Sequence, residues 1–167
     1  MNFDQWETTV PKQITGDSLW KVTAYRYASF LSDLSWYDAT KLIQDKRTLD
    51  LSNQLYRATG FIGANIAEGY SGGTGKDRAR FYEYGLGSAK ECRDWYYKGR
   101  HVLGETVLEH RLGLVTEIIQ LLLTMVPQPR DEAIREEATE YRVESADAGT
   151  GLKPSEISLF HGNAPMP

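Results

Sequence analysis

Arg93, Tyr97 and Arg100 follow one another at helical spacing, with Lys90 and Tyr96 beside them, and Lys76, Arg78 and Arg80 cluster a few turns upstream. Cations in this pattern contact backbone phosphates, and interleaved tyrosines stack on unpaired bases, which is the chemistry of single-stranded or structured nucleic acid. Lys76, Arg78, Arg80, Lys90, Arg93 and Arg100 are the candidate phosphate contacts, and Tyr97 is the candidate stacking platform. The same residues also read as a solvated face, because Asp77, Glu83 and Asp94 interrupt the run and Tyr96 suits a core position.

Other chemistries find less support. Gly69-Tyr70-Ser71-Gly72-Gly73 has the letters of a nucleophile elbow. That device needs a strained turn from strand into helix, whereas here a helical pattern precedes the serine and glycines follow it. His101, His110 and His161 are the available bases, and none stands in a recognisable context. Gly73-Thr74-Gly75-Lys76 resembles the end of a phosphate-binding loop, but Asp77 replaces the magnesium-holding hydroxyl and no strand leads in. No Glu has a His three residues later, so the pairs that build di-iron sites in bundles are missing, and no metal site or cofactor is expected. Glu68 and Glu91 without histidine are poor ligands for a transition metal.

A different polar set sits on an apolar face. Leu51, Leu55, Ala58 and Ile62 recur at helical spacing, and the same face continues into Asn65 and Gly69 within Asn65-Ile66-Ala67-Glu68-Gly69. Gly87-Ser88-Ala89-Lys90-Glu91 repeats the feature downstream, with Ser88 and Glu91 one turn apart. Polar groups on such faces are costly unless hydrogen-bonded, so a structural network is expected. In it Asn65 bonds Ser88 across a helix interface, and Glu68 and Glu91 reach Gln54, Arg57 or a helix N-terminus.

These residues need long helices to position them. Residues 1–16 contain Pro11 and Gly16 without a clear period and read as a loose arm. Asp17 or Ser18 caps a first helix running to Ile43, with room for a bend near Ser35 to Asp38. Thr48 N-caps a second helix ending at Gly69, and a glycine-rich connection follows through Gly75. A third helix spans about 76–103, with Phe81, Tyr84, Ser88, Cys92, Trp95, Gly99 and Val102 on one face. Gly104 breaks it, and a fourth helix runs from Glu105 to Val126 before Pro127 and Pro129. The pattern predicts an all-α, antiparallel up-down four-helix bundle over 17–127, with an acidic C-terminal extension over 128–167. That extension is expected to be partly helical and then disordered. On the fourth helix Leu108, Leu112, Val115, Ile119, Leu122 and Val126 form one stripe, and Val107, Leu114, Ile118, Leu121 and Met125 form a second. A second stripe left in water favours self-association, while a more central position for this helix is the plainer alternative.

Composition sets the outer bounds. The 167 residues suffice for one domain with its own core, and 41% hydrophobic content is ordinary for a globular chain. Net charge is −4, yet residues 131–167 hold eight acidic and three basic side chains, and residues 41–100 hold eleven basic and seven acidic. Indiscriminate nucleic-acid binding is therefore disfavoured, but the middle of the chain is mildly basic. The single cysteine, Cys92, rules out an intrachain disulfide framework. No signal peptide or membrane span is evident, so a cytoplasmic protein is expected.

Together with Gln54, Arg57 and Ala58, the Asn65–Gly69 run and its Gly-Ser partner resemble the signature of the bacterial four helix bundle protein family. The family's other name comes from proteins encoded in intervening sequences of 23S ribosomal RNA genes. The resemblance covers roughly residues 19 to 126 and is silent about the acidic extension. It implies ring-shaped homo-oligomers, notably pentamers, and an association with ribosomal RNA. A related branch serves as accessory protein to the reverse transcriptases of diversity-generating retroelements, binding both the enzyme and its RNA template. The combined expectation is a non-enzymatic, homo-oligomeric bundle that binds RNA, DNA or a nucleic-acid-handling enzyme such as a reverse transcriptase. A protein-binding scaffold with no nucleic-acid contact is the alternative.

Overall fold

The computed structural model describes residues 2–126 and 162–167. Two short helices, α1 (Phe3–Glu7) and α2 (Lys12–Thr15), precede four long ones, α3 (Thr23–Leu42), α4 (Leu49–Ser71), α5 (Gly75–Leu103) and α6 (Glu105–Met125), and no strand occurs among the described residues. The long helices end where the chain cannot continue them. Asp45 accepts from the Arg47 N–H at 3.0 Å and starts the 3₁₀ turn between α3 and α4. Thr74 accepts from the Asp77 N–H at 3.1 Å and caps α5. Gly104, at φ +87°, supplies the left-handed residue that separates α5 from α6.

Two boundaries moved, the start of α3 and the end of α4, which runs on through Tyr70 to Ser71 where a flexible connection was expected. Asp17 caps a 3₁₀ turn over Ser18–Lys21, and α3 begins only at Thr23. Thr48 makes no side-chain cap for α4; its hydroxyl donates backwards to the Leu42 and Asp45 carbonyls. The tolerated bend near Ser35 is absent, because α3 is one continuous helix.

Neighbouring long helices run in opposite directions. Ser35 of α3 meets Thr59 of α4, while Gly63 lies against Tyr25 and Ala28. Along α4 and α5, Leu51 adjoins Gly99, Asn65 adjoins Gly85 and Gly69 adjoins Tyr82. Leu31, Leu34, Leu55, Ile62, Tyr96 and Leu122 are among the side chains filling the core between them. On α5 the buried face is Tyr82, Gly85, Ala89, Cys92, Tyr96, Gly99 and Leu103, so the expected face is shifted by one residue at most positions. Small residues win the buried positions because they let neighbouring helices approach closely: a Cβ at Gly99 would stand 3.2 Å from Cδ2 of Leu42, and one at Gly85 would already touch the Asn65 Cβ at 3.5 Å, leaving no room for a larger side chain.

Gly69 shows the same constraint more sharply. A Cβ there would lie 2.5 Å from Cε1 of Tyr82 and 3.2 Å from the Arg78 carbonyl oxygen. Gly69→Ala is expected to lower stability by about 1–3 kcal/mol, although alanine improves helix propensity. At exposed Gly87 nothing lies within 4 Å of the added Cβ, so Gly87→Ala is expected to stabilise by about 0.5–1 kcal/mol. Urea midpoints of the two variants check the contrast, and shifts of the same sign would overturn it.

The N-terminal residues are not a loose arm. Asn2 and Gln5 form a capping box, which turns Phe3 and Trp6 inward. Phe3 and Trp6 pack on Phe30 with ring centroids 5.5 and 5.1 Å away, and Trp6 Nε1 donates to Asp33. Arg26 pairs with Glu7 at 3.0 Å. A helix this short leaves no readable period; its two aromatic anchors hold it. Gly162–Pro167, expected to be disordered, also touch the bundle, with Ala164 buried. The exposed helix expected after Arg130 and the rest of the extension through residue 161 lie outside the described residues.

Candidate nucleic-acid interface

At 100° per residue, Lys90, Arg93, Tyr97 and Arg100 fall within about 80° of one another on α5, along about 15 Å of its axis. Lys90, Arg93 and Tyr97 are exposed, and Arg100 is half-buried. Asp94 and Glu91 are turned about 80° and 140° from the middle of this stripe. Both are otherwise engaged: Lys98 pairs with Asp94 at 2.5 Å, and Trp95 Nε1 donates to Glu91 at 3.1 Å. Among the described residues neither Lys90 nor Arg93 takes part in an ion pair. The Arg100 guanidinium lies 4.1 Å from the Tyr97 ring centroid and donates to the Tyr97 carbonyl at 2.8 Å. The ring is therefore held by its neighbour while remaining 54% exposed, with one face left for stacking.

The upstream cations are a separate group. Lys76, Arg78 and Arg80 are exposed on the first turns of α5, about 15–21 Å along the axis from Lys90. Lys76 and Arg80 also point about 80° and 120° around the helix from the middle of the stripe, and Arg78 about 80° to its other side. Arg80 pairs with Asp77 at 3.4 Å and covers the Phe81 ring. The seven candidates thus form two patches on one rod.

The expected polar network does not form within the chain. Asn65 Nδ2 donates to the Phe61 carbonyl at 2.7 Å, and the Ser88 hydroxyl donates to the Tyr84 carbonyl at 3.0 Å, so each bonds its own helix. Glu68 and Glu91 are exposed, and Arg57 covers the Phe61 ring at 5.6 Å. Among the described residues Gln54 and Glu68 make no side-chain hydrogen bond. The interface of α4 and α5 is too tight for side chains to span it, since Asn65 faces a glycine.

The buried polar lock lies between α3 and α6. Arg111 and Asp38 are both fully buried; Arg111 Nε and Nη2 donate to the two Asp38 oxygens at 2.8 and 3.0 Å. Tyr96 donates its hydroxyl to the same carboxylate at 2.9 Å, and Arg111 Nη2 also donates to the Pro165 carbonyl at 2.9 Å. Burial, then the Asp38 charge, holds the Tyr96 phenol well above its ordinary range, so it stays a donor. Burial likewise keeps the Cys92 thiol protonated and unreactive. A second pair, Ser35 and Thr59, joins α3 to α4 at 2.9 Å. The signal was available: Asp38 shares a face with Leu31, Leu34 and Leu42, and Arg111 shares one with Leu108, Leu114 and Val115. Opposite charges at core positions of two helices are a pair waiting to be matched.

His110 contacts Arg111 Nη1 through Nδ1 at 3.0 Å. Burial, and then the Arg111 charge, push its pKa down to about 4. The unfolded chain therefore binds the proton more readily between pH 6.5 and 4, and stability falls as pH falls through that window. The loss amounts to about 2–3 kcal/mol at 1.36 kcal/mol per unit. Unfolding at pH 7 and pH 4.5 should show this loss reduced in His110→Gln; an identical pH dependence in both proteins would refute it.

Most of the second stripe of α6 is spent inside the chain. Val107, Leu114 and Ile118 are buried within the chain, and Leu121 and Met125 are half-buried against the core. This helix is central, as the plainer alternative held, because Arg111 between the stripes is itself drawn inward. Exposed aromatic surface lies instead on α3 and α4. Trp36 is 60% exposed and packs edge-on against Tyr56, while Phe61, about 140° further around α4, is exposed separately. Ser71 sits exposed at the last turn of α4, and no three His, Cys, Asp or Glu side chains converge on a metal site among the described residues.

A family model described as 23S rRNA-intervening sequence protein matches residues 23–124, from the first turn of α3 to the last turn of α6. Neither the curated proteins nor the solved structures yield a match. With four long helices filling the matched span, the chain belongs to the 23S rRNA-intervening sequence protein family.

Proposed function

We propose that this protein is a non-enzymatic bundle that binds nucleic acid along α5, with RNA as the first candidate. The Lys90–Arg93–Tyr97–Arg100 stripe carries this reading, since its cations are unspent on nearby carboxylates and its tyrosine is braced with a face open. A patch of three cations is weak alone. Repetition in a homo-oligomer, the pentamer that the family resemblance implies, raises its strength through effective concentration. Cytoplasmic location and service to a reverse transcriptase belong to the same proposal; among the described residues no helix is long and apolar enough to cross a membrane.

The exposed aromatic face of α3 and α4 favours a second reading, a protein-binding scaffold without nucleic-acid contact. Titration of a fluorescent single-stranded RNA at 50 and 200 mM salt separates the two. Phosphate binding weakens steeply across that range, whereas apolar docking does not, and absence of RNA binding at 50 mM would leave the scaffold.

A further inference from the structure

Asn163–Pro167 returns to the bundle in a defined way. Ala164 is 4% exposed, and the Pro165 carbonyl accepts from Nη2 of the fully buried Arg111. Met166 lines an open cleft of about 390 Å³ together with Asp33, Leu34, Trp36 and Tyr37 of α3. The segment reads Ala-Pro-Met-Pro. Its prolines have no N–H to satisfy, and their fixed φ predisposes the peptide to the extended form that aromatic-lined grooves take up at low entropic cost.

The anchor is organised before the peptide arrives. Asp38 holds the Arg111 guanidinium from two nitrogens, so the remaining N–H of Nη2 is aimed at whatever lies over the end of the pair. Beside it Trp36 and Tyr37 stay 60% and 48% exposed, more apolar surface than Met166 covers. We infer that this face of α3, with Arg111 as its carbonyl anchor, is a recognition groove for a short proline-punctuated peptide, and that its resident ligand is the chain's own Asn163–Pro167 bound in cis. Few contacts make such a short peptide weak on its own. A tethered copy acts at an effective concentration on the order of millimolar, which keeps the groove mostly filled yet open to a competing peptide of the same character.

The test uses the full chain and a fluorescein-labelled Gly162–Pro167 hexapeptide. Ala164→Arg and, independently, Met166→Asp dislodge the resident segment from opposite ends of the contact. Both variants are expected to bind the labelled peptide about tenfold more tightly than the unmodified protein. A peptide carrying the Met166→Asp change is expected to bind none of the three. No binding to either variant, or equal affinity for all three proteins, would overturn the inference. So would amide protection of Asn163 and Met166 that disappears on dilution, since the segment would then come from a second copy.

Discussion

Replacing Arg111 by Met is expected to lower the free energy of unfolding by about 3–5 kcal/mol, because it strands the Asp38 carboxylate in the core. Both oxygens of that carboxylate are engaged by Arg111, and the Tyr96 hydroxyl alone remains after the change. A domain of this size is stabilised by about 5–15 kcal/mol, so the variant sits close to unfolding. Chemical denaturation followed by circular dichroism measures the loss. Adding Asp38→Leu is expected to restore part of it, since an apolar pair avoids desolvating two charges while the buried Tyr96 hydroxyl loses its acceptor. The order of stabilities is the diagnostic. If the double variant is no more stable than Arg111→Met, the damage comes from lost packing and the account of a stranded charge fails.

Reversing Arg93 and Arg100 together to Glu is expected to weaken RNA binding at least tenfold at 100 mM salt. Loss of two phosphate contacts is expected to reduce the slope of log K against log salt by about 1.4 for a single strand. Arg93 is exposed, so its reversal disturbs no packing. Arg100 gives up one hydrogen bond to the Tyr97 carbonyl and its cover of that ring. Tyr97→Ala, by contrast, is expected to lower affinity about five- to a hundredfold and to leave the salt slope unchanged, because stacking releases no counterions. Anisotropy titrations over a salt series resolve both quantities. An unchanged affinity in Arg93→Glu/Arg100→Glu would exclude the stripe as the RNA contact.

The long helices were readable because their signals are repeated. Leu51, Leu55, Ala58 and Ile62 state one face four times, and Gly104 marks a stop that no periodicity contradicts. The rotation of α5 was harder to read. Aromatic residues stand at 81, 82 and 84 and again at 95, 96 and 97, so hydrophobicity alone does not choose between adjacent faces. The choice falls to Gly85 and Ala89, whose lack of bulk admits α4, and that preference belongs to the partner helix.

The polar residues were misjudged for a related reason. Asn65 and Ser88 stand out as polar interruptions, but each finds a carbonyl one turn back in its own helix, a local solution open to any Asn or Ser. Asp38 and Arg111 each stand on an apolar face, but that the one answers the other shows only when the two helices are laid together. The α5 stripe was legible as a set of residues, and the structure adds which acids lie off it and what occupies them. Phe3 and Trp6 escaped notice because five residues carry no period.

Asp38 and Arg111 are 73 positions apart. During synthesis at about 5–20 residues per second, the carboxylate emerges several seconds before its guanidinium exists. The hairpin of α3 and α4 must spend that interval with a bare anion on the side meant for the interior, which holds back premature collapse there. Arrival of α6 neutralises it, so synthesis of that helix acts as the trigger for closing the bundle around it.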